Sequence, residues 1–151
     1  RVQAWCAHHG QNIKHANLAL TSRAINLFDE GYLSAFCKEV DAIAQTKGAP
    51  RLIIIDTVAR HMGGLDENNA KDMGELIRTA DKLKDDYQCA VMLVHHTGHA
   101  NLDRARGSTA FKGALDTEII VSPLGDHDLT TKCEKQKDGK HTGNPLFFGM
   151  I

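Results

Sequence analysis

Several features are scarce or missing in this chain of 151 residues. Neither sign of charge is in excess: 18 Lys and Arg stand against 19 Asp and Glu, a net charge of -1. That balance excludes a broadly basic surface of the kind that coats nucleic acid, so any contact with a phosphate backbone must be local. No CxxC pair occurs among Cys6, Cys37, Cys89 and Cys133, and no signal-like or membrane-length apolar run is present. These absences point to four reduced thiols in a cytoplasmic protein that does not use a membrane. With only three prolines and 42% hydrophobic residues, disorder is excluded and one folded domain over residues 1–151 is expected. There is no internal repeat and no low-complexity segment. The nine histidines invite a zinc reading, but His8 and His9, like His95 and His96, are adjacent, and neighbours on a helix or strand point in different directions.

What is present is organised around residues 51–57, RLIIIDT. Four consecutive large aliphatics closed by one carboxylate predict a strand buried on both faces with an acid at its C-terminal end. Open α/β sheets place ligands at the carboxyl ends of parallel strands, so Asp56 is a candidate to hold a nucleotide's magnesium in the manner of a Walker B strand. The competing reading is that Asp56 caps the short turn over residues 57–62.

Along the chain, residues 1–9 read as the tail of a helix closed by Gly10, and residues 17–21 as a weak strand. Residues 31–46 predict an amphipathic helix with Leu33, Phe36, Cys37, Val40, Ile43 and Ala44 on a core face, ended by Gly48 and Pro50. After the 51–57 strand, a glycine-bearing loop leads to a helix over residues 69–87, with Met73, Leu76, Ile77, Ala80 and Leu83 inward. Asp66, Glu67 and Asn68 need no role beyond favouring the dipole of that helix. Residues 89–95, CAVMLVH, form the next strand, and the right-handed crossover sets His95 and His96 beside Asp56. Residues 97–108, TGHANLDRARGS, read as a loop on which Arg104 and Arg106 either contact phosphates or are merely solvated. Ser108 caps a short helix to Leu115. Strands over 117–122 and 129–134 follow, joined by a turn at Gly125 and Asp126, then a basic turn over 135–142 and a last strand over 144–151.

In series, RLIIIDT, DEN before a helix, VHHTG, RARGSTA with ALDTEI, and KQKDG resemble the RecA-like ATPase core of RepA-type hexameric replicative DNA helicases. The resemblance implies an α/β P-loop NTPase fold: a mostly parallel sheet flanked by helices, with antiparallel strands at the C-terminal end. It implies ATP and Mg2+ as cofactors, single-stranded DNA as a partner, and a homo-oligomeric ring, as in hexamers. By the same resemblance Asp56 holds magnesium through water, and Arg1 and Thr57 lie near the nucleotide. His95 and His96 sense the terminal phosphate. The 97–108 segment faces the central channel, with His99, Asn101, Arg104 and Arg106 toward DNA. Lys135 and Lys137 match the trans-acting fingers that reach a neighbouring subunit's site.

One element of the family's pattern does not occur. Nowhere is there GxxxxGK followed by Ser or Thr, and the single Gly-Lys pair, Gly139 and Lys140, has Glu134 where the first glycine should stand. The phosphate cradle and the catalytic glutamate are expected upstream of Arg1, so this segment is read as a partial ATPase domain, inactive alone. A truncated, non-hydrolysing module that binds ring subunits or DNA is the alternative, and a recombinase-like or clock-type ATPase is a third reading.

Overall fold

The computed structural model describes residues 2–21, 23–98, 101–105, 109–140 and 144–149, excepting the side chains of 15, 97, 98, 101–105, 109 and 110. Its centre is a βαβ unit. Strands β1 (Leu52–Asp56) and β2 (Ala90–Val94) run parallel, with Leu52 opposite Ala90 and Asp56 opposite Val94. Between them lie the short helix α3 (Val58–His61) and the long helix α4 (Ala70–Tyr87). Helix α4 starts where the Asn69 side chain accepts hydrogen bonds from the amides of Lys71 and Asp72, satisfying two donors that the first turn leaves open. Its helical repeat buries Met73, Leu76 and Leu83 against Ile53 and Ile55 of β1, with Leu27, Val58, Met62, Cys89 and Phe111 completing the core. Each such side chain contributes about 1.5–3 kcal/mol on full burial.

Burial corrects the expected two-faced strand. Ile53 and Ile55 are buried, but Leu52 and Ile54 are 45% and 52% exposed, and Met92 opposite Ile54 is 47% exposed. A parallel pair needs a layer on each side to hide both faces, and the described residues supply one.

Before this unit, α1 (Val2–His8) ends in a Schellman motif: the Gln11 amide donates to the Cys6 carbonyl and the Gly10 amide to Ala7, with Gly10 at φ +61°. A 3-10 turn (Ile13–His15) follows. The strand expected over residues 17–21 is not formed; Leu18 and Leu20 stay exposed, because local propensity makes no strand without a ladder partner. Helix α2 (Glu30–Lys47) is capped by the Asp29 side chain on the Tyr32 amide and stopped at Gly48. Its apolar face falls on the expected positions, but none of its residues is fully buried, so that face is only half a core surface. Tyr87 ties α4 to α2, its hydroxyl donating to the Cys37 carbonyl at 3.0 Å and to Asp41 Oδ1 at 3.1 Å. Burial, and then a hydrogen bond with the Cys37 side chain, push the phenol's pKa well above its ordinary value.

The loop after α3 turns on Gly63, at φ +59°, where an added Cβ would collide with the Asn26 side chain. Asn26 cannot yield freely, because its Oδ1 accepts from the Phe28 amide at 3.0 Å. Gly63→Ala is therefore expected to destabilise the fold by about 2–3 kcal/mol, from left-handed strain plus a lost hydrogen bond. Thermal unfolding measures it, and an unchanged melting temperature would show that the loop can be re-routed.

Beyond β2 the expected loop is instead a hairpin, β3 (Thr97–Gly98) and β4 (Asn101–Ala105), antiparallel with a register irregularity at Thr97 and Gly98. Helix α5 (Thr109–Ala114) leads into a three-stranded antiparallel sheet of β5 (Thr117–Leu124), β6 (Asp128–Gln136) and β7 (Leu146–Gly149). The cap expected at Ser108 lies outside the described residues. Gly125, at φ +67°, makes the β5–β6 turn. The architecture is mixed α/β in three separate sheets, and only β1 and β2 are parallel among the described strands. The antiparallel strands at the C-terminal end fall as expected, while the parallel part of the expected sheet is a single pair among the described residues.

Candidate functional site at the strand rim

Strand β1 ends at Asp56 and β2 at Val94 in the same register. Paired strands lie about 4.8 Å apart, so the backbone of His95 and His96 leaves β2 at the same rim where β1 ends at Asp56. Asp56 is exposed, on the same alternation as Ile54 and therefore on the open side of the sheet. It does not cap the following turn: Thr57 is the N-cap of α3, and no side-chain hydrogen bond caps that helix. The half-buried Thr57 accepts at its carbonyl from Nδ1 of His61, at 2.8 Å.

The two histidines are not equivalent. His96 is exposed, whereas the His95 side chain is only 6% exposed. His95 packs edge-on against Phe111 of α5, with ring centroids 5.8 Å apart at 72°. Its Nδ1 lies 3.9 Å from Oε2 of Glu67, itself 15% exposed. Glu67 is the residue that sequence reasoning missed, having been given only a dipole role. The signal was available: a βαβ unit returns the start of its helix to the rim where the preceding strand ends.

The two finger lysines occupy different settings. Lys135 belongs to β6 and not to the expected turn, because its strand pairing with Glu118 continues to Gln136 opposite Thr117. Its amine donates to the carbonyls of Lys112 and Gly113, both at 2.8 Å, where the last turn of α5 leaves acceptors open. Lys137 begins the turn, and its amine lies 3.4 Å from Oδ1 of Asp116. Lys84 holds the other Asp116 oxygen at 3.0 Å. Hydrogen bonds from Lys84, and then from Lys137, keep the Asp116 carboxyl below its ordinary pKa. Lys112 pairs with buried Glu118 at 2.8 Å, which fixes α5 to β5. Neither Lys84 nor Asp116 was singled out from the sequence.

Arg1, His99 and Arg106 lie outside the described residues. Asn101 and Arg104 fall on the backbone of β4, so the sequence that carries the DNA-facing candidates starts directly after His96.

A magnesium ion fits the donor set in one way. Mg2+ keeps most of its waters and takes one or two carboxylates together with substrate phosphates, which an exposed carboxylate at a strand end can provide. Among the described residues no group of three or more His, Cys, Asp or Glu could hold a metal directly, so Asp56 suits a water-mediated contact. No helix among them is long and apolar enough to cross a membrane.

None of the curated proteins matches the chain. A family model described as an AAA domain matches residues 1–101, more than half of the chain. The matched region contains Asp56, Glu67, His95 and His96, and stops short of Arg104, Arg106, Lys135 and Lys137. With a carboxylate and two histidines at the end of a parallel strand pair inside that region, the chain belongs to the AAA domain family of nucleotide-binding, ATPase-like proteins.

Proposed function

We propose that this chain is part of an ATP-driven DNA helicase that works as a homo-oligomeric ring, in the manner of the RepA-type hexamers. The observation that carries the reading is the register of β1 and β2, which sets Asp56 beside the emerging histidines at one rim. Phosphoryl transfer asks little covalent chemistry of a protein and depends on positioning and electrostatics, for which this rim is equipped. Asp56 offers its charge on the open side, and exposed His96 offers a ring N–H to a phosphate oxygen. Bound through Asp56, magnesium would draw charge from the phosphate oxygens. Thr57, and Arg1 by the resemblance, flank the nucleotide. Residues 1–151 contain no GxxxxGK[ST], so in this reading they do not themselves supply the phosphate cradle.

The β3–β4 hairpin extends the same reading to DNA. It begins one residue after His96, so a change at the phosphate-sensing end is one peptide bond from the element bearing Arg104. With a net charge of -1 the protein has no general attraction for phosphates, and single-strand binding rests on the hairpin region's arginines. Salt titration tests this in the intact ring. Each neutralised phosphate contributes a slope of about 0.7 in log affinity against log salt on a single strand. Arg104→Ala with Arg106→Ala should flatten the slope by roughly 1.4 for each subunit engaged. Equal affinities and slopes in wild-type and doubly substituted rings would remove DNA from the proposal. DNA or ring binding without any ATP turnover would favour the non-hydrolysing module instead.

A further inference from the structure

Glu67, in the loop before α4, and His95, at the end of β2, meet at 3.9 Å with both side chains withdrawn from solvent. Both ring nitrogens of His95 are shielded as well, and Phe111 closes one side of the ring. His96, the next residue, is exposed. We infer that Glu67 is a positioning residue for the nucleotide site, acting through His95, and that His96 alone of the two histidines meets the phosphate. The inference rests on the ATP-hydrolysis reading.

At 3.9 Å the contact is longer than a hydrogen bond, so the carboxylate acts through its charge and its place. A carboxylate facing Nδ1 in a shielded setting favours the ring orientation that turns that nitrogen toward it. Around metal-ligating histidines such partners fix the ring, and their loss costs roughly 10- to 100-fold in metal affinity or activity; we take the lower end of that scale for His95. Phe111 limits the ring from another side. His95 and His96 share a peptide bond, so a fixed His95 ring fixes the backbone from which His96 projects. Glu67 lies in the turn just before α4, whose buried face is packed on β1, and the rim thereby takes its geometry from the core.

The test uses the intact ring with ATP and single-stranded DNA. Glu67→Gln keeps the shape and removes the charge; Glu67→Asp keeps the charge and shortens the reach; His95→Asn removes the ring. In Glu67→Gln, kcat per folded molecule should fall roughly tenfold while KM for ATP stays within about twofold and the melt is unchanged, a combination that a smaller folded fraction does not produce. Glu67→Asp should recover part of the loss. The double variant Glu67→Gln, His95→Asn should be no slower than His95→Asn alone, since both changes remove one linkage. An unchanged kcat in Glu67→Gln, or losses that multiply in the double variant, would overturn the assignment and leave the ATPase reading standing. A wild-type ring with no ATP turnover would overturn that reading, and the assignment with it.

Discussion

Asp56→Asn should reduce ATP turnover by the intact ring roughly a thousandfold, the scale reached when one preorganised electrostatic contact to a transferring group is removed. Asparagine keeps the size and shape of the side chain, turns one acceptor oxygen into a donor and removes the charge that would attract magnesium through water. Folding should hardly respond, for two structural reasons. Asp56 is exposed at the strand end, and the helix after it starts at Thr57 with no side-chain cap to lose. Exposed substitutions away from such features usually change stability by less than about 0.5 kcal/mol. The measurements are steady-state turnover per folded molecule and a thermal melt of the same preparation. Turnover at the wild-type rate with an unchanged melt would show that Asp56 is an incidental surface acid. A variant that melts early yet keeps its rate per folded molecule would make it a structural one.

The sequence revealed most where structure is decided locally. The period of Met73, Leu76, Ile77, Ala80 and Leu83 gave α4 to within a residue, and the apolar runs gave β1 and β2, because each pattern is a property of its own segment. Topology then placed Asp56 and the histidines together without any side-chain detail. What escaped depends on partners distant in the chain. Residues 97–105 carry no apolar alternation, and their hairpin is a backbone ladder that leaves little mark on composition. Residues 17–21 show the converse, apolar enough for a strand but with nothing to pair with. The exposed face of β1 could not be read either, since Ile53 and Ile54 are chemically the same while only one of them meets α4. Glu67 was hidden by a sufficient simpler role at a helix start. Lys135 was hidden because its acceptors, the carbonyls at the end of α5, are set by tertiary structure.

That tertiary setting bears on the proposed trans-acting lysines. Lys135 is engaged with the end of its own chain's α5, so its removal would disturb local structure as well as any contact with a neighbour. Lys137 is the cleaner test. Its side chain is 62% exposed, and Asp116, its partner, is also held by Lys84. Exposed ion pairs contribute little to stability, and Asp116 would keep a lysine if Lys137 turned toward a neighbouring subunit. Lys137→Ala should therefore lower turnover by roughly a thousandfold, as loss of a trans-acting cation does elsewhere, with a smaller change in nucleotide affinity and little change in the melt. Asp116→Asn, which frees the amine without removing it, should leave turnover within a few-fold. The decisive experiment mixes two inactive proteins. In a ring assembled from equal amounts of Lys137→Ala and Asp56→Asn subunits, an intact Asp56 faces an intact Lys137 at roughly one interface in four, if the lysine acts across a head-to-tail contact. Turnover should recover toward that fraction. If Lys137 works only within its own subunit, every site keeps one lesion and mixing restores nothing, which would return the lysine to the ordinary role of an exposed partner for Asp116.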